Sequence, residues 1–348
     1  MQTLAVKYRP KAFDDVIEQE SVKIILQQQL QAGEVKHAYL FCGGAGTGKT
    51  TCARIFANDI NGGEGSPIEL DAARNSSVDD VRNIIQQAKT KSLDSEYKVF
   101  IIDECHAISN TGWQAFLKLI EEPPAKSIFI FCTTDPQKIP KTILSRVQRY
   151  DFRRISQQGI VCRLEHIIYE ENINVPFREG GIYQVSVEAL EYIAKLAEGS
   201  MRTAISLMDK CLSYNSELTM KNVVKALGVA NYDNMIEITS AYIFGEPDKL
   251  IKSLEDIHSS GVDMKQFIRQ YLNFVLDIKK WFILGDFEYL QIPQIDTIEE
   301  FIKDIDELDD TWDNISKLLD TIIKVNAEIK YDSNPKYLIE AMLLEGMK

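Results

Sequence analysis

Short, wholly apolar runs alternate with amphipathic stretches through the first half of the chain. Residues 38–42 form one such run, followed by a glycine-rich turn and a helical stretch over 50–59. Residues 68–70 precede a polar turn and an amphipathic helix over 78–89, and 99–102 and 127–132 read as buried strands. A further helix over 111–121 is stopped by Pro123 and Pro124. Strands that are apolar on both faces and alternate with helices indicate a parallel sheet covered on both sides. Beyond residue 157 the strand pattern gives way to helical spacing. Segments 187–198 and 202–214 predict two helices broken at Gly199. Apolar residues at three- and four-residue spacing recur over 264–281, 312–324 and 337–344. The expected organisation is an α/β domain over 1–157, a small helical domain over 158–228 and an all-α domain over 229–348.

Composition narrows the classes. The chain has 348 residues, room for two or three domains at about 150 residues each. With 45% hydrophobic and 26% charged residues it is globular in type rather than disordered. A net charge of −13 excludes a surface uniformly coated with positive charge for nucleic acid, though not a local basic track. No apolar run approaches the roughly 20 residues of a membrane span. The first ten residues lack the apolar core of a signal peptide, so a cytoplasmic location is expected. The six cysteines, at 42, 52, 105, 132, 162 and 211, are scattered, which points to buried thiols rather than a disulfide framework or zinc module. The acidic stretch 298–313 reads as a solvated helix face.

Candidate chemistry concentrates in two places. Gly43, Gly44, Ala45, Gly46, Thr47, Gly48, Lys49 and Thr50 match the pattern G-x-x-x-x-G-K-S/T, between a predicted strand and a predicted helix. Glycines let backbone N–H groups turn inward around phosphates, Lys49 reaches the terminal phosphates, and the Thr50 hydroxyl ligates Mg²⁺. The second place is Asp103-Glu104 at the end of a buried strand. There Asp103 would organise the metal and its waters, and Glu104 would polarise an attacking water. Asp103 to His106 also has the form of a helicase acidic motif, but the helical remainder offers no second motor domain.

These and further segments carry a resemblance. They are Lys7 to Pro10; Phe13 to Val16 with Gln19; His37 to Phe41; Asp71 to Ala73; Val78 to Arg82; Asp103 to His106; Phe116 to Pro124; Thr133 to Pro140; Ile143 to Arg146; and Gly199 to Arg202. Together they resemble the AAA+ ATPase subunits of DNA polymerase clamp loaders, the gamma/tau type of bacterial DNA polymerase III. The resemblance implies a P-loop AAA+ domain, a helical lid and an all-α collar used in oligomerisation. It also implies ATP and Mg²⁺ as cofactors. Other clamp loader subunits in a pentameric ring or spiral, a sliding clamp and primer-template DNA would be the partners, with no membrane.

Roles follow position by position from the resemblance. Lys49, Asp103, Glu104, Thr134, Arg146 and Arg202 would be catalytic, with Thr134 as first sensor, Arg202 as second sensor and Arg146 as the arginine finger reaching a neighbouring subunit. Arg9, Pro10, Gly43 to Thr50, Thr51 and Arg202 would hold the nucleotide, and Thr50 and Asp103 the Mg²⁺. Arg74, Asn75, Ser77, Arg82, Asn110 and Thr111, around two helix starts, would contact DNA phosphates. The sequence departs from the family at 61–67, where the four-cysteine zinc module is missing, so no zinc is expected, and at Val147 in place of a cysteine. The chain stops where the third domain should end, which suggests a short, phage-type version. Two other functions stay open at this point: a different AAA+ DNA motor of the recombination or branch-migration type, or a nucleotide-binding scaffold subunit of the loader.

Overall fold

The computed structural model describes all residues except 1, 75–77, 91, 93, 175–181, 228–231, 287–289, 291–294, 307–309 and 348. By internal contacts the chain divides into two compact units, one comprising 1–177 and 193–209 and the other 178–192 and 210–348. Segment 158–228 therefore contributes to both.

The first unit is built on five parallel strands: β1 (Ala38–Gly43), β2 (Ile68–Asp71), β3 (Lys98–Asp103), β4 (Ser127–Thr133) and β5 (Gln148–Phe152). Their order across the sheet is β2-β3-β4-β1-β5. The helices threaded between and after them are α1 (Leu4–Lys7), α2 (Glu20–Ala32), α3 (Lys49–Ile60), α4 (Val78–Ala88), α5 (Asn110–Glu121), α6 (Lys141–Leu144) and α7 (Gln157–Asn174). Beyond them α8 (Val187–Leu196) and α9 (Met201–Tyr214) straddle the division between the units.

Strand alternation sorts the core into two layers. Leu40, Cys42, Phe100, Ile102, Phe129 and Phe131 face α4 and α5, whose Val81, Ile84, Trp113 and Phe116 pack on them. Tyr39, Phe41, Val99, Ile101, Ile130 and Cys132 face α2 and α3, meeting Leu26, Ala53 and Phe56. Both faces of the central strands are thus buried, as their unbroken apolar runs predict. β5 escapes that pattern because it is an edge strand: Tyr150 and Phe152 are buried while Arg149 and Asp151 are exposed and paired with each other at 2.7 Å.

Among the described residues, the regular structure of the second unit is helical apart from a two-residue parallel pairing of Gln184–Val185 with Glu217–Leu218. Its helices are α10 (Met220–Leu227), α11 (Tyr232–Ile243), α12 (Pro247–Ser259), α13 (Met264–Leu284), α14 (Ile295–Asp306), α15 (Thr311–Glu328) and α16 (Pro335–Gly346). One core joins α11 to α16, with Phe267, Tyr271 and Phe274 of α13 against Ile315, Leu318 and Ile322 of α15. The acidic stretch reaches this core as well: Phe301, Ile302 and Ile305 of α14 are buried in it, leaving the carboxylates Glu300 and Asp304 outward. Among the described residues no helix is long and apolar enough to cross a membrane.

Candidate nucleotide site

The sheet order decides what meets what. β4 lies between β1 and β3, so the residue after β4, Thr134, emerges between the loop that leaves β1 and the acidic pair that ends β3. All three strands are parallel, and their carboxyl ends form one edge, the usual location of a ligand in an open α/β sheet.

The loop after β1 has backbone requirements that side chains would break. Gly43 has a φ of 153°, and a Cβ there would stand 2.5 Å from the Phe152 carbonyl oxygen of the neighbouring edge strand. Gly46 has a φ of 72°, and a Cβ there would collide with the Ser200 side chain. Its carbonyl accepts the Met201 N–H at 3.1 Å, so the first turn of α9 rests directly on the glycine loop. Thr47 Oγ1 closes the loop by donating to the Gly44 carbonyl at 2.9 Å.

Lys49, the first residue of α3, is 6% exposed and folds back on the loop. Its Nζ donates to the carbonyls of Gly43 at 2.8 Å and Gly44 at 2.7 Å. Burial lowers its pKa, opposed by the nearby Cys132, Glu104 and Asp103. The Thr50 hydroxyl donates to Asp103 Oδ2 at 2.8 Å, joining the start of α3 to the end of β3. Two hard oxygen donors at this spot suit a divalent cation of the Mg²⁺ kind.

Glu104 follows with a left-handed backbone, φ 47°, uncommon for a side chain of its kind. Its N–H donates to Asp103 Oδ1 at 3.0 Å. Its carboxylate accepts the Thr134 hydroxyl at 2.8 Å and lies 3.3 Å from His106 Nδ1. His106 in turn stands 3.2 Å from the Thr133 hydroxyl.

A single pocket opens over these groups. Ala45 to Thr51, Asp103, Glu104, Arg9, Pro10 and Arg202 line it, so most of the residues expected from sequence to bind nucleotide meet there. Gly43 and Gly44 lie beneath the lining, holding the Lys49 ammonium. Thr134 reaches the site through Glu104. Desolvation lowers the Arg9 pKa first, and repulsion from Arg54 and Arg202 lowers it further; of these three, Arg9 and Arg202 line the pocket. The lining also includes residues outside every segment marked in the sequence: Ala5, Ile17, Ile155, Arg163 and Ile205. A lone arginine on an amphipathic helix, such as Arg163, carries no pattern that would single it out.

Arg146 is outside this pocket. It is exposed after α6, with Nη2 at 2.9 Å from Glu121 and Nη1 donating to the Thr142 carbonyl at 2.9 Å. The DNA candidates sit on another surface. Arg74 is exposed, 3.5 Å from Asp71, and Arg82 is exposed on α4. Asn110 and Thr111 open α5 behind the Ser109 cap, which accepts the Gly112 N–H at 3.2 Å. Asn75 and Ser77 lie outside the described residues. Between α3 and β2, Asn61 bridges to the backbone of Tyr97 with both ends of its amide, at 3.0 and 2.8 Å.

Comparison with known proteins bears on this arrangement. A family model described as DNA polymerase III, delta subunit, matches residues 66–156. DNA polymerase III subunit tau of Bacillus subtilis is 31% identical over 99% of this chain and 63% of its own length. Subunit tau/gamma of Haemophilus influenzae is 34% identical over 77% of this chain and 41% of its own. For subunit tau of Escherichia coli the figures are 32%, 79% and 44%. The chain thus spans less than two thirds of the curated relatives it matches. Among solved structures, the Thermotoga maritima RuvB Holliday junction branch migration motor superposes with a TM-score of 0.51 at 21% identity, over 76% of this chain and 90% of that one. That likeness is one of fold, the P-loop AAA+ type. At 31–34% identity over 77–99% of its length, the chain is similar to the bacterial DNA polymerase III tau/gamma subunits.

Proposed function

We propose that this chain is an ATP-hydrolysing subunit of a DNA polymerase clamp loader. The observation that carries the reading is the convergence of Lys49, the Thr50–Asp103 pair and the Thr134-held Glu104 on one pocket. Similarity to the tau/gamma subunits supports the coupling of that chemistry to clamp loading on primed DNA.

In this reading the glycine loop cradles the triphosphate, and the Lys49 ammonium exchanges the Gly43 and Gly44 carbonyls for phosphate oxygens. Thr50 and Asp103 would hold Mg²⁺, which when bound would supply neutralisation of the phosphate charge. Glu104 accepts a proton from the attacking water while Thr134 fixes its carboxylate. Arg202 meets the phosphates from α9. Arg146, being outside its own pocket, serves the site of an adjacent subunit in a ring or spiral. The exposed Arg74 and Arg82, with the polar starts of α4 and α5, contact the phosphate backbone of DNA. A parent α/β domain over 1–157, a lid over 158–228 and a collar over 229–348 remain the proposed functional division. ATP binding closes the spiral on an opened clamp and primer-template DNA, and hydrolysis releases both.

Steady-state ATPase activity of the purified chain tests this, measured alone and then with primed DNA, a sliding clamp and partner subunits. Strong stimulation only when clamp and DNA are both present is the expected result. Stimulation by DNA regardless of clamp favours a general DNA motor. Bound ATP without turnover in every combination favours a scaffold.

A further inference from the structure

Part of the pocket wall comes from a segment that cannot hold its own shape. Ala5, Tyr8, Arg9 and Pro10 line the site, yet α1 is a single four-residue turn. So short a helix is unstable in isolation and must be fixed by tertiary contacts. Three are present. The Glu171 carboxylate of α7, 5% exposed, takes the Lys7 ammonium at 2.5 Å and the Tyr8 hydroxyl at 2.8 Å on the same oxygen. Arg163, about two turns earlier on α7, donates to the Tyr8 carbonyl at 3.0 Å. The Leu4 N–H donates to Asp209 Oδ2 of α9 at 3.1 Å.

Glu171 is the costly member. Removing a carboxylate from water is unfavourable unless partners compensate, and here partners come from the strap itself. The strap and α9 also meet at the pocket: Ala5, Tyr8 and Pro10 contribute lining alongside Met201 and Ile205. α9 touches the glycine loop through Met201 and the strap through Asp209, eight residues or about 12 Å further along its axis. The two ends of the site therefore differ in chemistry. The P-loop end offers backbone N–H groups, Lys49 and Arg202 for phosphates. The strap end offers the apolar and aromatic surface of Ala5, Tyr8 and Pro10 for a flat base, with Arg9 beside it.

We propose that Glu171 is a positioning residue that clamps the 4–10 strap against the pocket and so supplies the site's grip on the nucleoside, as distinct from the phosphates. The proposal rests on the nucleotide reading above. Its test compares two probes by calorimetry in Mg²⁺: ATP, which uses both ends, and inorganic tripolyphosphate, which uses only one. Glu171→Ala is expected to weaken ATP tenfold or more and tripolyphosphate less than twofold. Glu171→Gln, which keeps an acceptor for Tyr8, is expected to recover part of the loss. Equal weakening of both probes would overturn the clamp in favour of a general structural role, and so would unchanged ATP affinity. Wild-type chain that binds neither probe would instead defeat the nucleotide reading itself and the clamp with it. Should Glu171→Ala not fold, Lys7→Met removes the same ion pair from its half-exposed side and is expected to weaken ATP selectively by a few-fold; no selectivity there overturns the proposal equally.

Discussion

The Thr134 hydroxyl donates its proton to Glu104 across 2.8 Å, from the end of β4 to the left-handed residue that follows β3. Those two positions are adjacent only because β4 is inserted between β1 and β3. The bond falls on Glu104 Oε2, the same oxygen that His106 Nδ1 approaches at 3.3 Å. Thr134→Val keeps the shape of the side chain and deletes the donor. A hydrogen bond to a charged group is worth about 1.5–3 kcal/mol, so turnover is expected to fall about tenfold or more. ATP affinity should stay within about twofold, since Thr134 is not part of the lining. Unchanged turnover would mean that Thr134 only finishes a strand.

Lys49 makes a different demand. Its ammonium is buried and satisfied by two loop carbonyls before any phosphate arrives. Lys49→Ala removes the charge that draws phosphate and leaves both carbonyls unanswered. Equilibrium binding should show ATP affinity reduced 100-fold or more, whereas thermal unfolding should shift only modestly. Retained affinity would show that the loop backbone alone holds the nucleotide.

Arg146 separates binding from turnover. Because it pairs with Glu121 away from the pocket, Arg146→Ala should bind ATP as the wild type does in the isolated chain. In the assembled complex its turnover should drop steeply, since a finger arginine is worth roughly 10³–10⁵ in P-loop GTPases. Equal turnover in the assembly would sink the finger assignment.

Thiol reactivity reports the sheet packing. Five of the six cysteines are buried and Cys162 is exposed on α7. Burial pushes the Cys42 thiol up to about 11 and Cys52 up to about 12, so at pH 8 almost none of either is thiolate. Alkylation of the native chain at that pH should modify one residue, Cys162, with the others reacting only on unfolding. Rapid labelling of Cys42 or Cys52 would contradict the packing of β1 and α3.

How much of this was legible in the sequence depends on the kind of constraint. The glycine loop was readable because its geometry tolerates almost nothing else: Gly43 faces a carbonyl and Gly46 faces a side chain. The central strands were readable because both faces are buried. β5 was not, since an edge strand with Tyr150 and Phe152 inward and charges outward breaks the apolar run into isolated residues. The strap contacts were equally silent. Glu171 lies in a helix whose neighbours are mostly polar, and its burial is created by Lys7 and Tyr8 more than 160 residues away in sequence. Short-range pattern cannot carry such a pairing.

Gly46 offers a sharper test of the loop, because its two constraints can be separated. Gly33 ends α2 with a φ of 67°, close to the 72° of Gly46, but a Cβ there meets nothing within 4 Å. An alanine at either position incurs the left-handed backbone cost of about 1–2 kcal/mol. Only at Gly46 does it also push on Ser200, the residue whose hydroxyl caps α9 through the Thr203 N–H at 3.2 Å. Gly33→Ala should therefore lower thermal stability and leave ATP affinity alone. Gly46→Ala should lower stability similarly and weaken ATP tenfold or more, because α9 carries Met201 and Arg202 away from the pocket as it yields. Equal ATP affinity in the two variants would mean that the contact between α9 and the glycine loop plays no part in holding the nucleotide.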